Sequence, residues 1–309
     1  MNPRKYLLAF LITGLVSVLV AVLWLRSPAS PGSLPDTPTH PAAGDVEAPV
    51  RATSPQRAPA RLDPARPPRN LQPPATVAEL ASLADGGDAQ AACQLAAELG
   101  ECRTRQYFHE LDPSQEAMAP TPRCAELLAR HGDRHLEWLR QAAHAGEPEA
   151  MLRYAAGEAF GVHGASFDYL RSPGFENWRR EAPGMLQAVI EAGYPEAVIY
   201  RMIANQPDFG GPLANLLPAD PVQDQAYNEL FLLLNVDSPL VELMRTNLRS
   251  QADEAVGVQA RQQAARWHQD HFGGRTYDFE ALNAEGRRGF PVMQAHGASC
   301  SVAIEGPTP

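Results

Sequence analysis

The chain has 309 residues, 44% hydrophobic and 20% charged, values that suit a packed core. Its 26 Lys and Arg against 36 Asp and Glu give a formal net charge of −10. Residues 1–75 hold 8 of the cations and 4 of the anions, leaving 18 and 32 for the remainder. The C-terminal part would therefore repel phosphate, which excludes a nucleic-acid partner.

The first segment reads as a membrane signal. Arg4 and Lys5 precede YLLAFLITGLVSVLVAVLWL at residues 6–25, a run with no ionisable group except the Tyr6 phenol. Twenty residues at about 1.5 Å rise span a hydrocarbon core of about 30 Å, and Tyr6 and Trp24 sit where interfacial rings are favoured. Only Arg26 lies on the far side, so the positive-inside bias predicts a single-pass anchor, residues 1–26, with everything beyond it outside the cytoplasm. Lys5 is the only lysine; with abundant Arg, Ala and Pro this suggests a GC-rich bacterial gene, an inner-membrane anchor and a periplasmic domain. Cleavage as a signal peptide competes, since Ser27 and Ala29 are small, but the apolar run is long for that role and Pro28 and Pro31 crowd the site.

Residues 27–75 carry 13 of the 29 prolines and few sizeable apolar residues, so they cannot bury enough surface to offset ordering entropy. They are expected to form a disordered linker that stands the next domain off the membrane.

From Thr76 the periodicity becomes helical. In the stretch at 135–145, Leu136 and Leu139 are followed three and four residues on by Ala142 and Ala143, one face of a helix. Gly146 is placed to end it in a left-handed conformation, and Pro148 to begin a second helix with Glu147 and Glu149 at the positive end of its dipole. The expected product is a helical hairpin. LASLADGGDAQAACQLA at 80–96 repeats the design around Gly87, and MLQAVIEAGYPEAVIYRM at 185–202 repeats it around Gly193. Hairpins of this kind bury a continuous core only by stacking, the logic of helical repeats.

DQAYNELFLLLN at 224–235 reads as another buried helix. Residues 238–272 read as a long or kinked terminal helix with Val241, Met244, Leu248, Ala252, Ala255, Ala260 and Ala264 on one stripe and Gly257 at the kink. The domain is bounded at 76–272, and residues 273–309 are expected to be a loosely packed tail.

The four cysteines, Cys93, Cys102, Cys124 and Cys300, suit an exported chain, and no CxxC spacing occurs. Cys102 with Cys124 would close the inserted loop containing Pro113, Pro120 and Pro122. Cys93 is read as a small core residue of its hairpin, with Cys93 to Cys124 the alternative bridge, and Cys300 is placed in the tail.

Motifs for chemistry are sparse. His131 and His135 are four apart and His268 and His271 three apart, without a nearby third ligand. The tripeptide DFG at 208–210 has no Gly-rich loop or phosphate-holding lysine beside it. There is no GxSxG, HExxH or Walker motif, so no catalytic, cofactor or metal residues are assigned.

WLRQAAHAGEPEAMLRYA at 138–155, with Trp138 four residues before a double Ala and then Gly146 and Ala150, resembles the Sel1-like repeat, a relative of the tetratricopeptide repeat. Residues 80–100 and 185–204 resemble it less closely; Gly157, Gly161 and Gly164 stand for its glycine-rich loop. The resemblance implies an all-α fold, an α-solenoid of helical hairpins whose concave face binds proteins or peptides, with no catalytic residues. Tyr154, Tyr200 and Arg201 are the candidates for that face. The partner would be a protein or another cell-envelope component. The alternative is a cell-envelope enzyme with a dispersed active site.

Overall fold

The computed structural model describes residues 76–114, 116–160, 167–204, 211–236, 241–242, 245–246, 254–284, 290–297 and 299–300. The expected span at 6–25, the linker at 27–75, the tripeptide at 208–210 and most of the stripe between 241 and 253 lie outside them. The described residues are all-α, with no strand among them; one isolated parallel bridge joins Asn235 and Tyr277. No helix among them is long and apolar enough to cross a membrane.

Helix α1 (Val77–Asp85) opens with a full capping box: Glu79 N–H donates to Thr76 Oγ1 at 3.2 Å and Thr76 N–H to Glu79 Oε2 at 2.8 Å. It is followed by α2 (Ala89–Leu111), capped by Asp88, and α3 (Pro122–His131), capped by Thr121 with Pro122 in the first turn. Then come α4 (His135–His144), α5 (Pro148–Ala155), α6 (Pro173–Glu191) and α7 (Pro195–Ala204). The chain continues through the single turn α8 (Gly211–Ala214), α9 (Pro221–Leu234), α10 (Glu254–Phe272), α11 (Phe279–Ala284) and α12 (Pro291–Ala295).

The main helices pack in succession: α1 on α2, α2 on α4, α4 on α5, α5 on α6, α6 on α7, α7 on α9 and α9 on α10. Passed over are α3, which lies against α2, and the single turn α8, which lies against α6 and α7. Small residues make this possible. Ala91, Ala92 and Ala96 in α2, Ala142 in α4, and Ala150 and Ala155 in α5 are fully buried, so neighbouring backbones approach closely. Trp138 and Trp178 fill the larger spaces between them, and the Trp178 indole N–H, which burial would otherwise strand, donates to the Tyr154 carbonyl at 2.6 Å.

The three joints share one backbone solution. Gly87, Gly146 and Gly193 have φ of 92°, 88° and 84°, which only glycine adopts cheaply. In each, the residue after the glycine donates back across the helix end: Asp88 to Leu83, Glu147 to Ala142 and Tyr194 to Val189. The glycine N–H itself reaches Ala84, Ala143 or Ile190, so each joint is a Schellman cap that satisfies two orphaned carbonyls.

The kink expected at Gly257 does not divide the helix there, since Gly257 lies inside α10, in its first turn. The expectation of a loosely packed tail does not hold for residues 290–300. Phe290, Val292, Met293 and Cys300 are all buried, and Met293 and Cys300 completely so. Apolar side chains spaced around Pro291 give this stretch a one-turn helix with something to bury, and the rest of the chain provides the surface.

Candidate functional site

Two disulfides hold the described part of the chain. Cys102 and Cys124 join α2 to α3 across 22 residues with Cα atoms 5.3 Å apart. Cys93 and Cys300 join the second helix to the far end of the chain across 207 residues, Cα to Cα 5.1 Å. Cys93 is therefore neither a simple core residue nor a partner of Cys124, and Cys300 is not in a free tail. Folding places the buried face of α2 beside the incoming end of the chain, a proximity invisible in linear spacing.

The segment 290–300 is gripped at three corresponding places. Gln90, Glu149 and Glu196 each stand three residues after the glycine of a joint, in the first turn of the helix that follows. Glu196 Oε1 accepts the N–H groups of Val292 at 2.7 Å and Met293 at 3.0 Å, so it caps α12 from another helix. Glu149 Oε2 accepts the Cys300 N–H at 2.7 Å and the Ser299 hydroxyl at 2.5 Å. Gln90 Nε2 donates to the Ser299 carbonyl at 3.3 Å. Glu149 is fully buried and Glu196 is 3% exposed. Burial raises the Glu196 pKa, against the lowering by its backbone donors. Glu196 Oε2 is buried with no hydrogen-bond partner among the described residues.

Beside this contact lies a charged cluster. Arg153 Nε donates to Glu149 Oε1 at 2.7 Å and Arg153 Nη1 to Glu158 Oε2 at 2.6 Å. Burial works against the Arg153 charge, but Glu158 and Glu149 together outweigh it and hold its pKa above the usual range. Burial likewise raises Glu158, only partly offset by Arg153. Glu158 reaches this position because residue 100 is glycine, where a Cβ would collide with its carboxylate. His135, 1% exposed, sits with Nε2 3.7 Å from Glu158 Oε1, too far for a hydrogen bond. Burial, with Arg103 and Arg153 nearby, pushes its pKa down to about 3, so the ring is neutral at neutral pH. The Phe290 ring lies against Arg153, its centroid 4.9 Å from the guanidinium carbon, and stacks with the Tyr200 ring at 6.0 Å.

Of the residues expected to line a binding face, Tyr154 is buried and donates its hydroxyl to Glu181 Oε2 at 2.8 Å; burial leads the upward shift of that phenol. Arg201 is 3% exposed, pairs with Asp224 at 3.1 Å and lies over the Tyr227 ring. Tyr200 meets the C-terminal segment through the Phe290 ring. Among the histidines, His131 packs on Trp138 with ring centroids 5.3 Å apart, and His268 Nε2 lies 2.7 Å from the Arg275 carbonyl.

The residues missed by sequence reasoning are Gln90, Glu149, Arg153 and Glu196. The equivalent positions of Gln90, Glu149 and Glu196 after three glycines were visible, but a polar or acidic residue in a first helical turn reads as a dipole partner facing water. Searched against family models, curated proteins and solved structures, the chain matches none.

Proposed function

We propose that the chain is a membrane-anchored, extracytoplasmic α-solenoid of Sel1-like, tetratricopeptide-related hairpins that serves as a protein- or peptide-binding scaffold. The succession of helix contacts and the three matching Schellman joints support the repeat reading. One observation carries the binding reading. At the same place in three successive hairpins a polar side chain holds backbone groups of a segment remote in sequence. A surface that receives peptide backbone repeatedly has the chemistry a peptide receptor needs.

The rival reading, a cell-envelope enzyme, would need its ionisable groups open to substrate. In the convergent group Glu149 and His135 are buried, while the Arg153 and Glu158 side chains keep 17% and 25% exposure, so the group meets that need only in part.

Photo-crosslinking in intact cells tests the scaffold reading, with a reactive residue replacing exposed Phe108 or Ile203 on the full chain. A defined set of crosslinked envelope proteins, lost when unlabelled chain is in excess, is the expected result. Absence of any specific adduct from both positions and from further sites along the helices would sink it. The anchor is tested separately: carbonate-washed membranes should retain the full-length chain, and recovery of a soluble species beginning near Ser30 would remove the anchor.

A further inference from the structure

We propose that residues 290–300 are a resident ligand, and that the site they fill, built from Gln90, Glu149, Arg153, Glu196 and Tyr200, binds peptide segments of other proteins that carry an aromatic–Pro–aliphatic–Met turn. This rests on the scaffold reading and assigns it a site and a ligand class.

The site has the parts of a receptor. Phe290 is an aromatic anchor in contact with both the Arg153 guanidinium and the Tyr200 ring. Pro291 sets the first helical φ of the ligand turn, so the N–H groups of Val292 and Met293 point outward together, and one buried carboxylate oxygen of Glu196 takes both. Met293 is fully buried, a flexible side chain suited to filling an irregular recess. Farther along, Glu149 and Gln90 read the N–H of residue 300 and the carbonyl of residue 299. Backbone donors and acceptors are common to all peptides, so the selectivity lies in the aromatic, the proline and the methionine.

One acceptor remains unused. Glu196 Oε2 is buried without a partner among the described residues, so the resident segment does not exhaust what this carboxylate can bind. A ligand that presents one more donor there would bind more tightly than the chain's own end. While Cys93 and Cys300 are joined, the resident segment stays in place. In a chain without that bond the segment competes with added peptide by noncovalent contacts alone.

The test uses the full chain and a fluorescent peptide of sequence 290–300 with Ser in place of Cys at position 300. The peptide should bind the C93S/C300S chain and bind the oxidised wild-type chain at least tenfold more weakly. Methylating the Val292 nitrogen of the peptide removes one charge-assisted bond and leaves the protein untouched. It should weaken binding about tenfold to hundredfold. Replacing Phe290 of the peptide by Ala should weaken it further. The inference is overturned if the C93S/C300S chain keeps its helical circular dichroism but does not bind the peptide. It is equally overturned if that chain loses its helicity at room temperature, since the segment is then part of the core and not a ligand. Specific crosslinked partners whose capture is unaffected by excess 290–300 peptide would leave the scaffold reading standing and remove this one.

Discussion

The two disulfides close the molecule on different scales. Cys102 to Cys124 spans 22 residues and joins neighbours, α2 and α3. Cys93 to Cys300 spans 207 and joins elements that share no local sequence relation. The first could form in a chain whose later helices are still unmade; the second requires the packing of α2 through α7 to bring its ends together. Helices that pack in succession supply contacts between neighbours, and the long bridge adds a covalent tie between α2 and the segment 290–300.

The largest effect should come from breaking the long tie. In the chain-entropy account, a loop of 207 residues contributes about 5 kcal/mol, and one of 22 about 3 kcal/mol. Cys300→Ser should lower the denaturation midpoint of the oxidised chain more than Cys102→Ser does. Equal shifts, or the reverse order, would break the comparison, and mapping of unreduced peptides should give the pairs 93 with 300 and 102 with 124.

The same contrast between local and distant closure appears at two joints that look alike in sequence. A Cβ on Gly87 would meet nothing within 4 Å, whereas one on Gly193 would come within 2.5 Å of the His271 carbonyl oxygen at the end of α10. Gly87→Ala therefore bears only the left-handed strain, about 1 kcal/mol, and Gly193→Ala should lose about 2 to 4 kcal/mol because the end of α10 must move as well. Thermal melts of the two variants decide it; indistinguishable losses would mean that the joint at Gly193 is not packed against α10.

A smaller effect measures how dry the space beside the C-terminal segment is. The His135 ring faces Glu158, Arg103 and Arg153 and has a folded pKa of about 3 against the ordinary 6.5. As pH falls below 6.5 the unfolded chain takes up a proton that the folded chain refuses, so stability is lost on acidification. The slope approaches about 1.4 kcal/mol per pH unit. Glu158 and Glu196, raised by burial, have the opposite sign: protonated first in the folded state, they offset part of the loss at lower pH. Urea titrations between about pH 6.5 and 5 should show this slope in the native sequence and a flatter one in His135→Leu. A slope unchanged by the substitution would show that water reaches the ring.

What could be read from sequence follows the range of the interactions. The joints were legible because a glycine flanked by alanines, followed by a proline at two of the three, is a local signal, and Gly146 and Pro148 state it within three residues. The helix expected at 224–235, which spans Pro221–Leu234, and the bridge from Cys102 to Cys124 were legible for the same reason. The docking of 290–300 was not. FPVM is too short to show a period, and Glu149 and Glu196 look the same whether they face water or cap a distant helix. Cysteine parity was the signal that could have found it: once 102 is paired with 124, two cysteines remain, and Cys93 and Cys300 have only each other.

The bridge between Cys93 and Cys300 also decides how the chain carries load. Tension applied between residue 76 and the C-terminus runs along α1 and the start of α2, crosses the sulfur bridge and leaves through residue 300. Everything from residue 94 to 299 lies in a covalent ring outside that path. Pulled between residues 76 and 300, the chain should lengthen by little more than residues 76–92, and the helices that follow Cys93, with the 290–300 contact, should stay assembled until the sulfur bridge is cut.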